Sequence, residues 1–176
     1  MKRPLYTAFL SGLLILSGWG AGSNLLTNGS LADSPNPSKD QGTEEHDHTW
    51  KAPYEVESSL PGFKVTRGKV YLVLSKRSTK RWIDLNGGGG VLQNLTLTPN
   101  RPYLLRFTLE GDPQGRDEQS VSIQGPGLNT SENVSPEGRR VITSQFTPTL
   151  NQGAVEIYAT SGGRGPRIFN LSVEAQ

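Results

Sequence analysis

The stretch YLLRFTLE, residues 103–110, decides the fold class of this chain. Its apolar side chains recur at every second position: Tyr103, Leu105, Phe107 and Leu109 alternate with Leu104, Arg106, Thr108 and Glu110. Because successive side chains of a β-strand point to opposite faces, this pattern places one set in a core and the other on a sheet surface. The stretch therefore predicts a strand with one buried face.

Shorter stretches on both sides of it repeat the alternation. They lie at residues 83–85, 94–98, 120–124, 155–158 and 170–174, and Val65, Val70, Leu72 and Leu74 indicate one or two further strands. Turn-forming residues separate these stretches at 86–90, 99–100, 111–113, 125–127 and 162–166. Short strands at this spacing, with no convincing amphipathic helix, are typical of an antiparallel sandwich. We therefore predict an all-β domain built as an antiparallel β-sandwich.

The first residues are predicted to be an export signal. Lys2 and Arg3 precede an apolar run over residues 5–16, and the small residues 20–23 follow it. This order is that of a secretory signal peptide with cleavage before Asn24. The run is shorter than the ~20 residues of a membrane span, and the alternative is an uncleaved N-terminal anchor. We expect a signal peptide at 1–23 and a released mature chain that is secreted, periplasmic or at the cell surface and not inserted in the membrane.

The mature domain is expected to cover residues 24–176. It begins with a short strand and a turn at residues 24–31. Residues 32–62 are polar and irregular, with few side chains that could be buried, and this composition predicts a long irregular loop.

Charge and cysteine content exclude several classes of protein. The chain has 18 basic and 16 acidic residues, and loss of the two basic residues in the signal leaves the mature part neutral. No basic cluster on the scale of a nucleic-acid footprint remains, so we expect no nucleic-acid partner. There is no cysteine, so the mature domain is held by its core without disulfides.

Four segments, taken in order, resemble the choice-of-anchor C family, which is similar to a domain of plant cell-wall proteins and to galactose-binding-like jelly rolls. They are NLLTNGS at 24–30, LPGFKVTRGKV at 60–70, the central residues 83–109 with IDLNG and PNRPYLLRFTL, and GPRIFNLSV at 165–173. The resemblance covers nearly all of the mature chain. It implies a galactose-binding-like, jelly-roll-type β-sandwich with sugar polymers as the ligand class.

The chain departs from this resemblance where related jelly rolls hold a structural calcium. Leu31 and Ala32 stand where an aromatic residue and Glu are usual, and Phe169 stands in place of Asp before Asn170. A hard cation needs several oxygen ligands, which Ala32 and Phe169 do not supply. We therefore predict that the calcium site is absent or weak, with Asp33 as a partial replacement, and we expect no cofactor.

The sharpest binding hypothesis concerns side chains that point away from the core. If Ile83 and Leu85 are buried, Trp82 and Asp84 face outward. Sugar recognition uses an aromatic plate for a pyranose and planar polar groups for its hydroxyls. The predicted ligand-binding residues, provided that their strands are neighbours, are Trp82, Asp84, Tyr71, Arg106 and Thr108. The alternative is that Trp82 fills the core or is covered by the 32–62 loop.

Metal binding and catalysis have weaker support. His46 and His48 are spaced for chelation within the acidic run 44–48, but a solvated loop is the more ordinary explanation, so we expect no metal site. A Ser-His-Asp arrangement would have to take its histidine from this run. The carboxylate pairs Glu110 with Asp112 and Asp117 with Glu118 fall in turn-like segments where solvent exposure is expected. We therefore expect that the protein is not an enzyme.

The sequence as a whole predicts a secreted or periplasmic, non-catalytic carbohydrate-binding module whose partner is a polysaccharide or another glycan. One alternative is a structural or protein-interaction domain of a cell-envelope or extracellular assembly, with an envelope protein as partner. A glycoside hydrolase is the disfavoured alternative.

Overall fold

The computed structural model describes residues 23–34, 45–46, 49–54, 59–75 and 78–176. Apart from Ser23, the predicted signal peptide lies outside these residues, as do Glu44, Asp47 and His48 of the acidic run. Within them the chain forms strands and no α-helix. The strands are β1 (Glu45–His46), β2 (Thr49–Tyr54), β3 (Ser59–Leu60), β4 (Phe63–Ser75), β5 (Arg81–Thr96), β6 (Tyr103–Glu110), β7 (Gln119–Gly125), β8 (Leu128–Val134), β9 (Arg139–Phe146), β10 (Gln152–Ala159) and β11 (Arg167–Ala175).

These strands pair antiparallel and form two sheets that share β4 and β5. Sheet I has the order β2-β4-β5-β11-β6-β9, with β1 added beyond β2. Sheet II has the order β3-β4-β5-β10-β7-β8. The predicted all-β antiparallel jelly-roll-type β-sandwich is confirmed.

One apolar core fills the space between the sheets. Leu105, Phe107 and Leu109 of β6 are fully buried and belong to the same cluster as Ile123 of β7 and Ile157 of β10. The alternating residues that predicted a buried face therefore do face the core. Each fully buried side chain of this size contributes roughly 1.5–3 kcal/mol relative to exposure.

The glycine run Asn86–Gly90 has a different role from the one expected. The sequence predicts a turn between strands, but the run lies inside β5, which pairs with β11 at Ile83 and Asp84 and with β10 from Gly90 onward. It is the corner at which β5 passes from sheet I to sheet II. Opposite it, a Cβ on Gly68, which has a φ of 56°, would collide with the backbone of the run. Glycine fits here because it adopts positive φ and permits this close approach.

Two further strands, β8 and β9, were not predicted. Each is the outer strand of its sheet, and the buried side chains of LNTSENV are only Leu128 and Val134. In RRVITSQF only Ile142 and Phe146 are buried. Strands with so few buried positions give a weak alternating pattern, which explains why they were missed.

The segment before β1 also differs from its prediction. Residues 24–31 were expected to form a short strand with a turn, but residues 24–34 form turns without a strand, in which Asn28 and Leu31 have positive φ. Leu31 is fully buried, and the Arg81 guanidinium donates hydrogen bonds to three carbonyl oxygens of this segment. Within residues 32–62, expected as an irregular loop, the described parts include β1, β2 and β3.

Across the parts of the chain that the structure describes, no helix has the length and apolar character required to cross a membrane.

Candidate functional site

The five residues predicted to bind a ligand all lie on strands of sheet I. Tyr71 on β4 pairs with Asp84 on β5, and Asp84 pairs with Arg167 on β11. Thr108 on β6 is opposite Phe169, while Arg106 lies two residues away on the same strand. Since Ile83, Leu85, Leu105 and Phe107 face the core, the five predicted side chains point to the outer face of this sheet. The expected juxtaposition is therefore present.

Trp82 is nevertheless not open to solvent. Its side chain is 7% exposed and packs in a small cluster with Val73 and Phe169, against which Tyr71 also packs. The Lys80 ammonium lies 4.2 Å from the centre of the Phe169 ring and 5.4 Å from that of Trp82. Because the indole is almost fully buried, it is not presented to solvent as a platform for a sugar.

An ionic cluster around Arg167 occupies the next part of this face. Its guanidinium lies 3.3 Å from carboxylate oxygens of Asp84 and of Asp112, and 3.8 Å from one of Glu110. Asp84 and Asp112 have no solvent exposure. Further cations reach the same acids from the surrounding loops and strands, namely Lys80, Arg139 and Arg164.

This arrangement corrects two expectations. Trp82, Asp84 and Thr108 are buried, so they do not share a solvent-open surface with the exposed Arg106. Asp112 was expected to be exposed in a turn, but it is buried in the ion cluster. Ligand binding by the sheet I residues stays a prediction.

The metal-binding predictions are not decided by these residues. In the described ranges, no three His, Cys, Asp or Glu side chains are placed to hold a metal ion. His48 lies outside those ranges. Asp33 is exposed, and its backbone N–H donates a hydrogen bond to the Asn28 side chain. A residual role of Asp33 in calcium binding stays a prediction.

The outer face of sheet II is lined by polar side chains around one aromatic residue, in contrast to the buried cluster on sheet I. Two rows of side chains cross it from β4 to β8, as fixed by the strand register. The first row is Lys64, Leu92, Glu156, Gln124 and Asn129, and the second is Arg67, Gly90, Tyr158, Ser122 and Ser131. Most of these groups are amides, hydroxyls and charges, and Tyr158 is the aromatic residue among them. The face is therefore polar with one aromatic plate.

Tyr158 is held in place by polar neighbours on both sides. The Arg67 guanidinium lies 3.8 Å from the centre of its ring, and Gln124 Nε2 donates a 3.0 Å hydrogen bond to its hydroxyl. Glu156 accepts a 2.7 Å hydrogen bond from the Thr66 hydroxyl and forms a 2.9 Å ion pair with Arg67. The ring is thus fixed by hydrogen bonds and by a cation–π contact, which is worth about 0.5–1 kcal/mol at an exposed site.

Gly90 makes room for this group. A Cβ at Gly90 would lie 2.8 Å from Tyr158 Cβ and 2.9 Å from both Arg67 Cγ and Thr66 Oγ1, which is closer than real Cβ contacts. The absence of a side chain lets the three residues meet across the β4-β5-β10 strands. The last glycine of the corner run therefore positions the aromatic plate.

A recess of about 510 Å³ lies at the other end of the β5–β10 pair. It is lined by Asn94, Leu95, Thr96, Gln152 and Gly153. Gln152 and Tyr158 are six positions apart on β10, which corresponds to about 20 Å of extended strand. Tyr158 and this recess lie at the two ends of a strip along β10 that is long enough for several sugar units.

A second recess of about 210 Å³ lies between the β6–β7 and β10–β11 connections, where Arg116, Asp117, Glu118 and Arg164 are among its lining residues. Its cations and carboxylates balance, so its charge indicates no ligand class.

Sequence reasoning missed Tyr158 as a site residue, although the signal was present. Val155 and Ile157 alternate with Glu156 and Tyr158, which turns the latter two outward. The partners of Tyr158 were not visible, because Gln124 lies 34 residues away in the chain.

The architecture is a jelly-roll β-sandwich of the kind found in carbohydrate-binding modules. The chain is similar to a solved CBM4 module, with a TM-score of 0.53 and 10% identity over 86% of this chain and 99% of that one. It is also similar to the CBM22-1 xylan-binding domain of Paenibacillus barcinonensis Xyn10C, with a TM-score of 0.52 and 11% identity over 70% of this chain and 92% of that one. At this identity the likeness shows the fold.

Comparison of the sequence itself gives no relative. No family model matches the chain, and no curated protein matches it. Membership of the choice-of-anchor C family is therefore not confirmed.

Proposed function

We propose that this protein is a non-catalytic carbohydrate-binding domain that works outside the cytoplasm and binds its ligand on the outer face of sheet II. The proposal is supported by the fold, because both modules described above are carbohydrate-binding modules, one of them a xylan-binding domain. It is supported more directly by the Tyr158 group, since the fold alone does not determine a function.

The observation that carries the proposal is the placement of Tyr158 among Arg67, Glu156 and Gln124. An aromatic ring offers the apolar face of a pyranose a stacking surface, and amide and carboxylate groups pair with its hydroxyls. This combination, on a face that takes no part in the core, meets the requirements of a sugar site. The Arg67 side chain is 45% exposed, so a sugar that takes its place over the ring has to offset the cation–π contact, about 0.5–1 kcal/mol at an exposed site.

The absence of catalysis is part of the proposal. A glycosidase needs two carboxyl groups facing one substrate. Glu110 and Asp112 instead face Arg167, which holds both in the ion cluster. Glu156 on the sheet II face lies beside Arg67. Export rests on the sequence of residues 1–23, with Lys2 and Arg3 before an apolar run.

A panel of soluble and immobilised glycans, including xylan, tests the proposal with three forms of the protein. We expect Tyr158→Ala to weaken binding about tenfold or more, as loss of a central aromatic contact does. Tyr158→Phe keeps the ring and loses only the Gln124 hydrogen bond, so most of the binding should remain. Thermal unfolding of each variant shows whether the fold is retained.

Arg106→Gln tests the other predicted site, because Arg106 is exposed on sheet I. Equal binding by Tyr158→Ala and wild type, together with a loss in Arg106→Gln, would move the ligand to the sheet I residues. Absence of any glycan signal, with a fixed protein partner in co-purification, would favour the structural alternative. Release of reducing sugar would contradict the non-catalytic assignment.

A further inference from the structure

Three positive charges lie along β4, two of them on the sheet II face and one at the corner that follows it. Lys64, Arg67 and Lys69 are all exposed on this strand. Phe63, Val65 and Val70 of the same strand are buried in the core, so the alternation turns Lys64 and Lys69 outward. Lys64 begins the row that contains Glu156, and Lys69 lies at the corner opposite Asn86.

Two of these three cations have no carboxylate partner in the described part of the chain. Arg67 is paired with Glu156, but neither Lys64 nor Lys69 forms an ion pair there. The cations of the sheet I cluster differ, because Lys80, Arg139 and Arg167 each reach Glu110. Lys64 and Lys69 therefore bring unpaired positive charge to β4, the strand that carries Arg67.

Apart from Glu156, which is paired with Arg67, the two rows of side chains across this face contain no carboxylate. The positions across β7 and β8 are the neutral groups Ser122, Gln124, Asn129 and Ser131. Glu118 accepts a hydrogen bond from Asn133 at the far strand, β8, on the opposite side from Lys64. An extended ligand along β4, β5 and β10 would meet two unpaired ammonium groups and one arginine.

We propose that the ligand of the sheet II face is an acidic polysaccharide whose carboxylates lie against Lys64, Arg67 and Lys69 while one of its sugar rings packs on Tyr158. This inference rests on the proposed carbohydrate-binding function and names its substrate class. Lys64 and Lys69 attract the carboxylates as point charges, and Arg67, whose Nε and one terminal nitrogen face Glu156, has further N–H donors for one of them. A spacing of five residues places the two lysines at most about 17 Å apart, within the reach of a few sugar units.

The test compares polygalacturonate with the same polymer after methyl esterification, which removes the charge and keeps the backbone. Binding is measured by calorimetry at low and at high salt for the wild type, for Lys64→Gln/Lys69→Gln, and for Arg101→Gln/Arg116→Gln. The last variant is the matched control: it removes two exposed positive charges that form no ion pair in the described residues and that lie outside the strands of sheet II. Both double variants change the net charge equally.

We expect the wild type to bind polygalacturonate at least about fivefold more tightly than the ester, with the difference reduced at high salt by screening. Lys64→Gln/Lys69→Gln should lose about three- to tenfold in affinity for the acidic polymer, and the control double variant should lose little. Equal binding of the two polymers, or equal losses in the two double variants, would overturn the inference.

The two proposals fail in different ways. Tight binding of xylan and of the ester, lost in Tyr158→Ala, would leave the carbohydrate-binding function standing and remove the acidic ligand. Absence of binding to xylan and to both forms of the pectic polymer would contradict both.

Discussion

Arg167 balances two carboxylates that have no contact with solvent. Asp84 and Asp112 are fully buried on either side of its guanidinium. A buried carboxylate is costly unless a cation and hydrogen bonds compensate it, so neither acid is stable at this position without its partner. This is why two residues that look like site residues in the sequence are structural in the fold.

Arg167→Met should destabilise the protein by about 3–5 kcal/mol, because it removes the cation that pairs with both buried carboxylates. Arg140→Met is the matched control, since Arg140 pairs with Glu132 at the surface and its side chain is 48% exposed. Its cost should stay within about 1 kcal/mol. Urea unfolding at neutral pH measures both, and similar midpoints for the two variants would contradict this account of the cluster.

The corner at which β4 and β5 pass from one sheet to the other depends on glycine residues. Gly68 and Gly87 have φ values of 56° and 57°, but only Gly68 is crowded by the opposite backbone. Nothing lies within 4 Å of a Cβ built on Gly87. The two positions therefore separate the cost of backbone conformation from the cost of collision.

Gly87→Ala should cost about 1–2 kcal/mol, the penalty of a left-handed conformation for an L-residue. Gly68→Ala adds a backbone collision and should cost several kcal/mol more or prevent folding. Thermal and urea unfolding of the two variants test this. Equal stability of the Gly68→Ala and Gly87→Ala proteins would contradict the backbone collision expected at Gly68.

The strands were predictable where they alternate strongly and not elsewhere. The stretch Tyr103–Glu110 clearly predicts β6, because every inward residue is large and apolar. β8 and β9 have few buried side chains, so their residues resemble loops. The run Gly87–Gly90 indicates a permissive backbone, which a turn between two strands and a corner within one strand both require. The strands that pair with the run decide between these two structures.

The site was less predictable than the fold for a related reason. The outward direction of Tyr158 follows from alternation along β10 alone. Its value as a platform depends on Arg67 and Gln124, which arrive from β4 and β7 through strand pairing. Trp82 was predicted to be an outward aromatic plate from alternation along β5 alone, and its burial depends on Val73 and Phe169, which come from two other strands.

Over the whole domain, the turns at residues 24–34 fasten the start of the described fold to its last strand. The Asn24 amide donates a 3.0 Å hydrogen bond to the Leu171 carbonyl, and its oxygen accepts hydrogen bonds from the N–H groups of Leu26 and Val173. One side chain therefore joins the first described turn to β11. Buried or partly buried hydrogen bonds of this kind contribute roughly 0.5–1.5 kcal/mol each.

Asn24→Ala should lower the free energy of unfolding by about 2 kcal/mol and loosen residues 24–34. Hydrogen exchange of the backbone amides locates the change, with protection falling at Leu25 and Leu171, whose N–H groups donate to Val173 and Gly29 across this contact. Asn151→Ala, at an exposed turn, is the control. Unchanged protection at Leu25 in the Asn24 variant would mean that backbone pairing alone secures the segment.

The passage of β4 and β5 through both sheets has an energetic consequence for the molecule. Sheet I contains the ion cluster and sheet II the proposed ligand face, yet the same two backbones are part of each. Unfolding of either sheet removes hydrogen-bonded partners from the other, so we expect the domain to unfold in a single cooperative step. Tightening of the Tyr158 side by a bound ligand would therefore protect Asp84 and Arg167 on the opposite side as well, through shared stability and with no change of shape.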